Sequence, residues 1–221
     1  HTYRSTNKNN IKANENILKD LDTMDYFLID TNCLIHPVCF KTLDDNPLLK
    51  DKEKLERKMM TNVLEYLDKL IRHVNPKKGV YVSIDGVAPI AKIKQQRSRR
   101  FKSVHDRNLW NNIRKKHGKE EPFFWNNSAI TPGTEFMRKL HFKIMNWANK
   151  QEVNIIYSSS NTPSEGEHKL LQFIRENQRK KELYKYVIYG LDADLIFLAL
   201  STGSNKIYLL REAVHLNKKA K

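Results

Sequence analysis

Tyr26-Phe-Leu-Ile-Asp30 is a short apolar run that stops on a carboxylate. A run of this length, rich in aromatic and branched side chains, reads as a strand buried on both faces. The pattern recurs along the chain. Val80-Tyr-Val-Ser-Ile84 stops on Asp85, Val153-Asn-Ile-Ile-Tyr157 leads through a turn to Glu165 and Glu167, and Tyr186-Val-Ile-Tyr189 leads to Asp192 and Asp194. Lys206-Ile-Tyr-Leu-Leu210 makes a fifth strand.

Helical patterns fill the intervals. Leu55, Met59, Val63, Leu67, Leu70 and Ile71 recur at helical spacing and predict a helix over 52–73, stopped by Asn75-Pro76-Lys77-Lys78-Gly79. Ala91 to Lys116 predicts a long basic helix, Gly118 to Thr131 a loop, and Pro132 to Asn149 a further helix. Glu167 to Arg179 and Leu195 to Leu200 complete the set. Strands alternating with helices predict an α/β fold with a mostly parallel central sheet, flanked by helices on both faces. Residues 1–24 are polar and rich in Asn and Lys; they are expected to form a mobile arm or insertion, with a short helix near Ile17–Leu21, ahead of one domain over 25–221.

Composition narrows the function. The 221 residues carry 40 Lys+Arg against 25 Asp+Glu, a formal charge of +15 that favours a polyanionic partner. No apolar run is long enough to span a bilayer and no signal-peptide core opens the chain, so an intracellular protein without membrane contact is expected, with the cytoplasm favoured over the nucleus. Cys33 and Cys39 have no second Cys or His pair at zinc spacing and read as ordinary buried or half-buried residues. The chain opens on His1 rather than Met, as a piece of a longer protein would.

The position of the acids is the informative feature. In a parallel sheet Asp30, Asp85, the Glu165/Glu167 pair and the Asp192/Asp194 pair all fall at one edge, where open α/β folds place their sites. Six converging carboxylates would repel and their pKa values would rise unless cations neutralised them. Oxygen-only ligands suit Mg²⁺ or Mn²⁺. For any single acid, helix capping is the simpler reading. Four coincidences at one strand edge reverse that choice. Asp192-Ala-Asp194 also matches the short acidic motif of nucleotide-sugar transferases, against which the basic charge and the other acids argue.

After Asp85 the chain reads Gly-Val-Ala-Pro-Ile-Ala-Lys-Ile-Lys-Gln-Gln-Arg-Ser-Arg-Arg-Phe101. On a helix Lys92, Gln96, Arg99 and Arg100 share one broad face suited to a phosphate, although a solvated basic face would look the same. This segment resembles a motif of the XRN family of 5′-to-3′ exoribonucleases. So do Asp30-Thr-Asn-Cys-Leu-Ile-His36, Pro163-Ser-Glu-Gly-Glu-His-Lys169, Tyr189-Gly-Leu-Asp-Ala-Asp-Leu195 and Leu209-Leu-Arg-Glu212.

The resemblance implies a PIN/FEN-like nuclease core and two divalent ions, Mg²⁺ or Mn²⁺, held by Asp30, Asp85, Glu165, Glu167, Asp192 and Asp194. It implies a pocket for a 5′-terminal phosphate formed by Lys92, Gln96, Arg99 and Arg100, and His36 stacked on the terminal base. The implied activity is hydrolysis of single-stranded 5′-monophosphorylated RNA to nucleoside 5′-monophosphates, with Lys92 helping to neutralise the transition state. Some positions depart from the family pattern. Cys33 and Ser164 stand where glycine is usual, Ile90 where a basic residue is common, and the polar arm replaces the usual opening helix. The family's last metal-binding aspartate and the aromatic facing His36 are expected beyond Lys221. Two other readings remain at this point: a flap-type, structure-specific DNA nuclease of the same superfamily, and a non-catalytic RNA-binding module.

Overall fold

The computed structural model describes residues 24–118 and 125–211. The expected helix near Ile17–Leu21, and Glu212 of the last motif, lie outside the described residues. Five strands, β1 (Tyr26–Asp30), β2 (Gly79–Ser83), β3 (Ile155–Ser158), β4 (Tyr186–Tyr189) and β5 (Ile207–Leu210), form one sheet in the order β3-β2-β1-β4-β5. Every neighbouring pair is parallel. The helices are α1 (Asn32–Asp44), α2 (Lys52–Val74), α3 (Ile90–Lys116), α4 (Glu135–Ala148), α5 (Gly166–Arg179) and α6 (Asp194–Ser201).

The central strand shows why the sheet is covered on both sides. Phe27 and Ile29 enter a core with Leu34 and Ile35 of α1, Leu55 and Met59 of α2, and Leu140 and Ile144 of α4. Leu28, pointing the other way, joins Leu170 and Ile174 of α5 with Leu195 and Ala199 of α6. Alternation along one strand therefore assigns helices to opposite faces. Burying each such side chain contributes roughly 1.5–3 kcal/mol. Met24, counted with the polar arm in the sequence, is fully buried in the same core.

The helix over 52–73 ends where the sequence places its stop. Asp51 caps it by accepting the Lys54 N–H at 3.1 Å, and Asn75 terminates it at a left-handed φ of 48°. Two helices differ from the sequence pattern. The apolar spacing does not announce α1, which carries Pro37 inside it and only a weak apolar stripe. Pro37 lacks the N–H that would reach the Cys33 carbonyl, a defect the burial of Leu34, Ile35 and Cys39 outweighs. The helix expected from Pro132 starts instead at Glu135, because Gly133 is left-handed (φ 88°) and Thr134 caps the turn by accepting the Met137 N–H. Within the expected loop Gly118–Thr131, Asn127–Ala129 form a 3₁₀ turn beside the buried Trp125.

Among the described residues no helix is long and apolar enough to cross a membrane.

Candidate metal and phosphate site

The carboxyl ends of β1, β2 and β4 and the start of α5 meet at the centre of the sheet edge. Register sets Asp30 level with Ser83, so Asp85 emerges two residues further along the neighbouring strand. Asp30 is only 7% exposed. Its Oδ2 accepts the Cys33 thiol at 2.9 Å, while its Oδ1 is buried with no hydrogen-bond partner. Asp85 is fixed from two directions: Gly166 N–H donates to Oδ1 at 2.6 Å and Asn32 Nδ2 donates to Oδ2 at 2.8 Å.

Gly166 sets how closely these groups approach. A Cβ there would lie 2.8 Å from Asp30 Oδ1, 3.2 Å from Asp85 Oδ1 and 3.2 Å from Ser83 Oγ, so the two carboxylates face each other across a bare backbone. Burial, then the charges of Asp85 and Glu167, push Asp30 up to about 7 against the lowering effect of the Cys33 hydrogen bond. Burial also raises Asp85 and Glu167, with Glu165 adding to both. Buried carboxylates that repel one another, all offering oxygen, fit a hard divalent cation.

Glu165 tests the capping alternative directly. It occupies the N-cap position of α5, yet its side chain makes no capping hydrogen bond. Its Oε1 lies 3.2 Å from Lys92 Nζ instead, and that contact raises the Lys92 pKa. Asp192 behaves differently. It is exposed, and its Oδ1 accepts the Asp194 N–H at 3.2 Å as α6 begins, so it does serve the helix entry. Its charge still raises the pKa of Glu167. Asp194 is exposed in the first turn of α6. Among the described residues, Glu165, Glu167 and His168 bring ligand atoms within 4.8 Å of one another, a grouping that includes none of Asp30, Asp85, Asp192 and Asp194.

The basic residues follow α3 away from this cluster. Lys92 and Gln96 are half-buried, whereas Arg99 and Arg100 are exposed. Arg99 lies close enough to Lys92 to oppose its charge. Arg100 donates to Thr131 Oγ1 at 3.0 Å. His36, half-buried on α1, has its pKa lowered by burial, with Asp85 opposing the shift.

Several supporting residues escaped the sequence reading. Asn32 pairs twice with Asp85, through its amide donor and by accepting the Asp85 N–H at 3.1 Å. Lys169, 4% exposed, donates to the carbonyls of Ile84 at 2.7 Å and Ser159 at 2.9 Å, tying β2 to the segment after β3. Ser83 Oγ donates to the Ile29 carbonyl at 3.0 Å. One signal was available for Lys169: it falls on the face of α5 that carries Leu170 and Ile174.

A family model described as the XRN 5′-3′ exonuclease N-terminus matches residues 2–213. The chain belongs to this family. Among its relatives, the chain is 40% identical over 205 residues to 5′-3′ exoribonuclease 1 of Saccharomyces cerevisiae, a match covering 86% of this chain and 13% of the yeast protein. It is 37% identical over 222 residues to 5′-3′ exoribonuclease 2 of Debaryomyces hansenii, covering 88% and 21%. With 5′-3′ exoribonuclease 2 of Kluyveromyces lactis the identity is 36% over 219 residues, again covering 88% and 21%. This XRN chain therefore spans about a fifth or less of the length of the curated relatives it matches. A crystal structure of T5 D15 protein co-crystallised with metal ions superposes with a TM-score of 0.40 at 8% identity, covering 85% of this chain and 54% of that one.

Proposed function

We propose that this chain carries the catalytic centre of an exoribonuclease that hydrolyses single-stranded, 5′-monophosphorylated RNA from its 5′ end, releasing nucleoside 5′-monophosphates. The observation that carries the reading is the Lys92–Glu165 contact at 3.2 Å, which joins the acid cluster to the cationic face of α3. A terminal phosphate held on that face would lie beside the bond to be cut.

Asp30, Asp85, Glu165 and Glu167, with Asp192 and Asp194, would hold two Mg²⁺ or Mn²⁺ ions. When bound, such ions lower the pKa of attacking water and carry charge developing on phosphate oxygens. The remaining work falls to side chains. Gln96, Arg99 and Arg100 anchor the terminal phosphate, Lys92 offsets charge at the scissile phosphate, and His36 stacks on the first base. Asn32 and the Gly166 N–H hold Asp85 in place before any ligand arrives.

The test compares 5′-monophosphate with 5′-hydroxyl single-stranded RNA in Mg²⁺. Charge-assisted contacts are worth roughly 1.5–3 kcal/mol, so Arg100→Ala should slow the monophosphate substrate about tenfold or more, at about 1.4 kcal/mol per decade. The hydroxyl substrate, lacking the contact, should lose much less. An equal loss on both substrates would reduce the helix to a general RNA-binding surface. Faster cleavage of flapped DNA than of either RNA would favour the structure-specific DNA nuclease.

A further inference from the structure

Cys33 stands in the second position of α1 with its sulfur against the acid cluster. Its thiol donates to Asp30 Oδ2 at 2.9 Å, and its sulfur accepts the Leu191 N–H at 3.4 Å. The side chain is half-buried, open enough for a small ion to reach. Asp30 is buried, and its other oxygen, Oδ1, lies without a hydrogen-bond partner beside Gly166, where Asp85 Oδ1 also lies. A buried carboxylate oxygen without a hydrogen-bond partner is a ligand atom that a divalent cation can satisfy.

Hard Mg²⁺ has little use for sulfur, whereas Zn²⁺ and Cd²⁺ prefer it. We propose that Cys33 makes the Asp30 end of the cluster a binding site for soft divalent cations of the zinc class, which displace Mg²⁺ and silence the site. This rests on the functional reading above only in taking Asp30 as a ligand of the working ion. The step balances without an oxidant: the thiol proton passes to solvent, and a sulfur–metal bond forms beside the Asp30 oxygen. Typical Zn–S and Zn–O lengths of about 2.3 and 2.1 Å would need the sulfur–oxygen edge to widen by roughly 0.7 Å to reach a tetrahedral angle. The Leu191 N–H then supports the charge on sulfur.

Cd²⁺ is the probe, because a sulfur–cadmium bond absorbs in the ultraviolet. Titrating the protein with Cd²⁺ should produce that band, and Cys33→Ser should lack it; Cys39, fully buried, is present in both proteins, so the difference reports Cys33. Cd²⁺ affinity should fall at least about tenfold in Cys33→Ser while Mg²⁺ affinity changes less than about threefold. Cys33→Gly should repeat the pattern. In RNA hydrolysis assays the variants should need at least about tenfold more Zn²⁺ for half-inhibition. A band that survives in Cys33→Ser, or equal Cd²⁺ affinity in both proteins, overturns the proposal. The cadmium readout needs no RNA, so a protein that shows the band yet fails to degrade RNA counts against the functional reading alone.

Discussion

Asn32 grips Asp85 twice, its amide nitrogen donating to the carboxylate at 2.8 Å and its amide oxygen accepting the Asp85 N–H at 3.1 Å. Truncation leaves a part-buried carboxylate and a backbone donor without their partner. Asn32→Ala should therefore lower stability by roughly 1.5–3 kcal/mol in chelator. Urea unfolding with and without Mg²⁺ checks this, because an ion on Asp85 should recover part of the loss. An unchanged midpoint in chelator would show the pairing to be energetically idle.

The acid cluster makes a prediction about pH. Asp30 rises from its usual 3.8 to about 7, and Asp85 and Glu167 shift the same way. Carboxyls raised in the folded state favour it while protonated, and that advantage disappears as the pH climbs from about 4 through about 7. Metal-free stability should fall over this window by an amount on the order of a few kcal/mol. His36, lowered by burial, works the other way near its own range and softens the decline. Asp30→Asn should flatten the profile, and so should saturating Mg²⁺. Calorimetric melts at pH 5 and pH 8 measure it; a profile that rises with pH in chelator would contradict the burial of Asp30.

Ser164 occupies a φ of 96°, a region that penalises any side chain, at the turn leading into Glu165. Glycine removes the penalty. Ser164→Gly should raise stability by about 1 kcal/mol, whereas Ser164→Ala should not. Matched denaturant midpoints of the three proteins decide it.

Lys169 is a buried cation bonded only to carbonyls in its immediate shell, those of Ile84 and Ser159. Lys169→Met keeps the bulk but leaves both carbonyls unpaired, and should cost roughly 2–4 kcal/mol. It also removes a charge that favours ionised Asp85. Ionisation of Asp85, followed by NMR in chelator on the folded fraction, should therefore move to higher pH in Lys169→Met than in Lys169→Arg. Equal titrations would leave Lys169 a purely structural tie.

Much of this architecture is legible in the residues because its signals are local. Each strand lies within two residues of its apolar run, and β1 and β4 coincide with theirs. Asp30 and Asp85 could be placed together because a parallel sheet aligns its strand ends. What the sequence concealed depends on contacts between distant segments. Pro37 argues against a helix that the core nevertheless enforces. Nothing near Asn32 reveals that its partner lies 53 residues away. The two pairs of acids look alike on paper, yet Glu165 turns to Lys92 while Asp192 stays at the helix entry, a difference that tertiary packing makes.

The long helix α3 has one more consequence. Its 27 residues include none that is buried, and its ties to Glu165 and Thr131 run from Lys92 in its first turn and Arg100 in its first half. At 1.5 Å per residue such a rod is about 40 Å long. Lys92 in its first turn and Lys116 in its last therefore stand about 36 Å apart. One helix thus carries positive charge from beside the acids to a point well beyond them.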